Sequence, residues 1–151
     1  MDDAGPAVSE EGVDALLAAG ILRRVEPDRE AAERELAAAR QHLSTADEIA
    51  DVDEIAALAI AYEGARKAIR AHMRARGLRT VGGEGAHART GEYGVAAFDQ
   101  PHVAMHFRAF DDVRKLRNRS QYDAVPVEDA DVTFALKHAR EIVSAVETDL
   151  A

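Results

Sequence analysis

The 151-residue chain contains no cysteine and no tryptophan. It can therefore form no disulfide, offers no thiol nucleophile and holds no thiolate-ligated metal. Aromatic residues make up only 5% of it and it has four prolines. A chain this poor in aromatics and this rich in alanine is expected to pack helices closely and not to build a β-sandwich. No segment alternates polar and apolar residues with period 2, so no strands are expected. No apolar run approaches the roughly 20 residues a membrane helix needs. The acidic start, Met1-Asp2-Asp3-Ala4-Gly5-Pro6, lacks the basic-then-apolar pattern of a secretory leader. A cytoplasmic protein without membrane partners is the expectation.

What is present is ordinary in amount and uneven in distribution. Hydrophobic residues make up 47% and charged residues 31%, with a formal net charge of −9. The first 54 residues carry 5 basic and 15 acidic groups, residues 55–122 carry 12 and 6, and residues 123–151 carry 2 and 7. A basic middle between acidic ends suits an anionic ligand such as RNA, or segments that neutralise one another within the fold. The length fits one domain, over residues 9–151, preceded by a flexible tail over 1–8.

The apolar pattern predicts an all-α bundle of five to six helices, with antiparallel neighbours joined by short turns. Ser9 can cap a short helix that ends near Gly20. A second helix is expected over about 28–43, anchored by Leu36 and Leu43. The acidic stretch from Asp47 to Asp53 reads as a break that caps a third helix over about 53–76. There Ile55, Leu58, Ala59, Tyr62, Ala65, Ile69 and Met73 recur at helical spacing. Its basic end, with Arg66, Lys67, Arg70, Arg74 and Arg76, suits a helix C-terminus, so those charges need no ligand. Residues 77–91 hold five glycines and read as a loop. Gly82-Gly83-Glu84-Gly85 lacks the spacing of a phosphate-binding loop. A short helix over about 87–98 is weakened by Gly91 and Gly94. Pro101 opens a helix over about 102–122, and Pro126 separates it from a last helix ending near Leu150. Val132, Ala135, Leu136, Ala139, Ile142, Val143 and Val146 form that helix's apolar stripe.

The stretch Arg114-Lys115-Leu116-Arg117-Asn118-Arg119-Ser120-Gln121-Tyr122-Asp123 puts four basic residues at the end of the penultimate helix. With the helix pair before it and the Ala-rich helix after it, Arg117-Asn118 with Tyr122 five residues on resembles the HEPN superfamily of helical domains. The resemblance spans about residues 28–148, and among its branches is nearest the actinobacterial SAV_6107-like HEPN group. It implies a homodimer whose motif helices meet across the interface. It also implies RNA as a ligand, and a cognate antitoxin or a nucleotidyltransferase-type protein as a partner. Many members are metal-independent endoribonucleases of toxin–antitoxin and phage-defence systems, with an arginine, four to six residues, then a histidine.

Carried over, Arg117 takes the place of the motif arginine, Asn118 that of the polar residue after it, and Tyr122 that of the histidine. An imidazole titrates near neutrality and can move a proton during attack on a phosphodiester. A phenol with a pKa of about 10 is a far poorer base. Arg117 retains the capacity to neutralise a phosphate. The expected function is thus a degenerate HEPN domain that binds RNA or a protein partner with little or no nuclease activity. Arg117, Asn118 and Tyr122 would form the inherited site, and Arg114, Lys115 and Arg119 the anion contacts. An active endoribonuclease and a purely structural interaction module stand as alternatives. Arg117, Asn118 and Tyr122 also admit a structural role, bonding helix ends and packing on the bundle. His87 and His102 read as surface histidines. His138 with Glu141 is too little for a metal centre. No cofactor is expected.

Overall fold

A computed structural model describes residues 8–83 and 85–151. The fold is an all-α bundle of six helices among those residues, with one two-stranded ribbon. The helices are α1 (Glu10–Ala18), α2 (Arg29–Ile49), α3 (Glu54–Arg76), α4 (Ala86–Ala97), α5 (Pro101–Tyr122) and α6 (Asp129–Leu150). The strands are β1 (Leu22–Arg24) and β2 (Leu78–Thr80).

Polar side chains set the helix starts. The Ser9 hydroxyl accepts from the Gly12 N–H, and the carboxylates of Asp28 and Asp53 accept from Ala31 and Ala56. Each satisfies one of the backbone donors that a helix N-terminus leaves free. Pro101 is the first residue of α5, where its missing N–H costs nothing. Gly77 ends α3 in the left-handed region, at φ 70°.

Helix α3 is the central member. It packs along α2 over most of its length and also touches α4, α5 and α6. Alanine makes this possible: Ala57, Ala61, Ala68 and Ala71 of α3 and Ala32, Ala39 and Ala46 of α2 are fully buried. Small side chains let two helix axes approach and leave the larger anchors, Leu36, Leu43, Leu58 and Ile69, to fill the flanks. The α6 stripe is buried throughout, as its periodicity predicts. Four aromatic residues, Tyr62, Tyr93, Phe107 and Phe110, complete the core between α3, α4 and α5.

The structure departs from the sequence expectations in several places. Helix α2 runs six residues past Leu43, to Ile49, because Ala46 continues its buried face against α3. The acidic break shrinks to residues 50–53. Ile55, expected inside, is 53% exposed at the first turn of α3. Residues 77–91 are not a single loop, since they contain β2 and the first half of α4. The unexpected ribbon pairs Leu22 with Thr80 and Arg24 with Leu78. Strands of three residues are too short to show a period, and their partners lie far apart in sequence. The expected tail over 1–8 lies outside the described residues except for Val8, which packs against the core.

Candidate anion-binding site

The basic stretch of α5 does not act as one surface. Arg114 donates from Nε to Asp111 at 2.8 Å, and the Lys115 Nζ lies 3.3 Å from the same carboxylate. Two cations therefore share one anion. Arg119 is exposed. Tyr122 is 79% exposed and makes no side-chain hydrogen bond among the described residues. Five residues after Arg117 it is turned about 140° around the helix, so the two do not face one cleft within a chain.

Arg117 points the other way, inward. Its guanidinium carbon lies 5.2 Å from the centre of the Tyr62 ring on α3, a cation–π arrangement. Its Nη1 donates to the Asn118 side-chain oxygen at 3.2 Å. Its Nε is buried without a hydrogen-bond partner, and it forms no salt bridge among the described residues. Asn118 therefore orients Arg117, and Tyr62 supplies the surface on which it rests.

Tyr62 is the hub of this site. Its ring stacks on Phe110 with centroids 5.1 Å apart. Its hydroxyl lies 2.8 Å from Nδ1 of His87, in the first turn of α4. Burial raises the Tyr62 pKa to about 12, against the opposing pull of Arg117, Arg66 and Arg114. The phenol is thus protonated at neutral pH and shares a hydrogen bond with Nδ1. Partial loss of water around the His87 ring, then the positive charges of Arg66 and Arg117, lower its pKa. The imidazole is neutral at pH 7.

Arg66, one turn after Tyr62, grips Glu63 with two nitrogens, and its Nε–Oε2 distance is 3.0 Å. Hydrogen bonding to Arg66 and the charges of Arg66 and Lys67 outweigh burial, so Glu63 ionises below the usual range. The assembled group is Tyr62 and Arg66 from α3, His87 from α4, and Arg114 and Arg117 from α5. It can hold an anion beside a neutral imidazole. Of the sequence candidates, Arg117, Asn118 and Arg114 belong to it, whereas Lys115, Arg119 and Tyr122 do not. Tyr62 had read as core, Arg66 as a helix-dipole charge and His87 as surface. No local pattern marks them, because their association exists only once three helices pack.

Two other histidine groups are present. His72 is fully buried. It lies 2.7 Å from the Tyr93 hydroxyl through Nδ1 and 2.8 Å from Asp149 through Nε2. Burial lowers the His72 pKa despite Asp149, and the hydrogen bond from His72 lowers that of Asp149. A neutral imidazole here accepts from Tyr93 and donates to an ionised carboxylate. His106 and His138 face each other with their Nδ1 atoms 2.9 Å apart. Burial first, then the neighbouring His106, lowers the His138 pKa. That pair supplies two nitrogen ligands, and among the described residues no third His, Asp or Glu joins them to hold a metal.

Comparison with family models, curated proteins and solved structures found no match to this chain.

Proposed function

We propose that this chain is a degenerate HEPN-like domain that binds RNA as a homodimer and has little or no nuclease activity. The observation that carries the reading is the position of Arg117. It is a guanidinium without an acidic partner among the described residues, held over Tyr62 and oriented by Asn118. Such a group is ready to receive a phosphate oxygen, and planar arginine suits that task better than lysine. Arg114 and Arg66 add positive potential at the same place, as their effects on Tyr62 and His87 indicate. The tyrosine at the position of the motif histidine is exposed and faces elsewhere, which supports binding without motif-type proton transfer.

His87 favours a second reading, a metal-independent endoribonuclease. It is a neutral imidazole in the same cluster as Arg117, and a neutral imidazole is the form that accepts a proton. One experiment separates the two. The full chain is incubated with total RNA, alongside Arg117→Ala and His87→Ala. The binding reading expects an intact RNA pool and an affinity that falls steeply with added salt. Arg117→Ala should weaken binding about tenfold, the scale of one charge-assisted hydrogen bond. Cleavage lost in both variants would establish the nuclease. No salt-sensitive binding to RNA would sink both and leave a protein-interaction module.

A further inference from the structure

A cleft of about 630 Å³ opens between α3, the ribbon and the start of α4. We propose that it binds a small phosphate ester, a phosphorylated polyol or sugar, at a site that shares Arg66 and His87 with the Arg117 group but takes no lining residue from α5. The size is that of a metabolite pocket. Arg66, Arg70 and Arg74 come from successive turns of α3, so they form one row along its wall. Their counter-charge is incomplete. Glu63 pairs with Arg66, but the single carboxylate of Glu35 serves both Arg70, at 3.5 Å, and Arg74, at 3.1 Å. A phosphate can take the positions around these guanidiniums that Glu35 leaves open.

The far end of the cleft is built for the same charge. His87 lines it, with its Nδ1 held by the Tyr62 hydroxyl. α4 begins there with Gly85 as its cap residue; its Ala86 N–H bonds the Gly83 carbonyl, and among the described residues no side chain caps the N–H groups that follow. Such an end can accept an anion. Met73 and Leu78 give the lining an apolar part.

The remaining wall selects the size of the ligand. Glu26 and Asp28 also line the cleft. Two carboxylates disfavour a long phosphodiester strand crossing it, but they accept hydrogen bonds from hydroxyl groups. The cleft thus matches a molecule with one phosphate end and one hydroxyl-rich end. This inference does not rest on the RNA reading.

The test uses the full chain, titrated by calorimetry and thermal shift with ribose 5-phosphate, inorganic phosphate, ribose and a short single-stranded RNA. Saturable binding of ribose 5-phosphate, weaker binding of phosphate and none of ribose are expected. Arg70→Ala should reduce the ribose 5-phosphate affinity about tenfold, and Arg119→Ala, on an exposed residue outside the cleft, should leave it unchanged. Glu26→Gln should tighten inorganic phosphate binding by up to about fivefold, by removing a like charge. Thermal melts of each variant without ligand show whether it is folded, and Glu26→Gln, on an exposed residue, keeps the question open if Arg70→Ala unfolds. No saturable binding, or equal losses in Arg70→Ala and Arg119→Ala, would overturn the proposal. So would competition in which RNA displaces ribose 5-phosphate with the same dependence on Arg70. Ribose 5-phosphate binding without RNA binding would support the cleft and count against the RNA reading alone.

Discussion

The molecule contains two tyrosine–histidine pairs that share their first bond and differ in everything around it. In Tyr93–His72 both rings are fully buried, and the second imidazole nitrogen reaches Asp149. In Tyr62–His87 the tyrosine is buried but the histidine is exposed and lines a cleft, and its neighbours are arginines. Burial lowers both histidine pKa values. In the first pair the polar groups satisfy one another, and the result is a clasp from α3 to α4 and the end of α6. In the second, the other imidazole nitrogen has no partner among the described residues, at the edge of the cleft. The same two side chains thus serve stability in one place and suit ligand binding in the other, and the third partner decides which.

Replacing the two histidines is the most direct way to break that contrast. His72→Ala removes the partner of a buried hydroxyl and of a carboxylate, and opens a cavity. A loss of about 3 kcal/mol is expected in urea unfolding. His87→Ala should cost less than about 1 kcal/mol in the same measurement, because water replaces an exposed ring. Equal losses would show that both pairs are structural.

The wall of the closed pair offers the next test. Gly94 follows Tyr93 on α4, and an added Cβ would collide with the ring of Phe107. Phe107 stacks on Phe98, which in turn lies 4.8 Å from the His72 ring. Gly94→Ala should therefore destabilise the fold by about 2 kcal/mol, by overpacking, despite the better helix propensity of alanine.

The pH dependence of stability has a definite sign at both ends. His72 and Asp149 have lowered pKa values in the fold. The unfolded chain then binds more protons, so stability is full above about pH 6.5 and falls as the pH drops through the histidine and then the carboxylate range. Tyr62 is raised to about 12. Its contribution is full below about pH 10, the unfolded value, and is lost as the pH rises toward its folded one. Tyr62→Phe should flatten the alkaline fall, measured as Tm against pH. Tyr93, raised by burial in the same direction, should preserve the remainder of it.

The smallest effect sharpens the open pair alone. In Arg117→Gln the His87 pKa, followed by NMR, should move upward toward the ordinary histidine value, since one of the charges that lower it is gone. An unchanged value would place Arg117 outside the electrostatic reach of His87.

Most of the helical framework was legible because its signals are local. Ser9, Asp28 and Asp53 announce helix starts, Gly77 announces an end, and the stripe from Val132 to Val146 repeats every helical turn. Each depends on residues within a turn or two. The local pattern ends α2 near Leu43, whereas the helix continues because Ala46 is held by packing against α3, which no neighbour in sequence reveals. The ribbon leaves no local signal because it joins residues more than fifty positions apart.

The basic cluster in α5 shows the same division. Its composition pointed to Arg114, Lys115, Arg117 and Arg119 together, but helix geometry turns them to different sides. The pairing of Arg114 and Lys115 with Asp111 follows from one-turn spacing within α5, whereas only packing shows that Arg117 lies over Tyr62. Likewise the arginines of α3, sufficiently explained by the helix dipole, line a cleft once the ribbon and α4 close against them.

By itself, then, the sequence determined the helical class, most helix limits and the arginine-asparagine motif, because periodicity, caps and spacing act over one or two turns. Tertiary structure decided that Tyr122 stands apart and that Tyr62 and His87 join Arg117. Those groups lie on three helices, and only the packing of an alanine-lined core sets the distances between them.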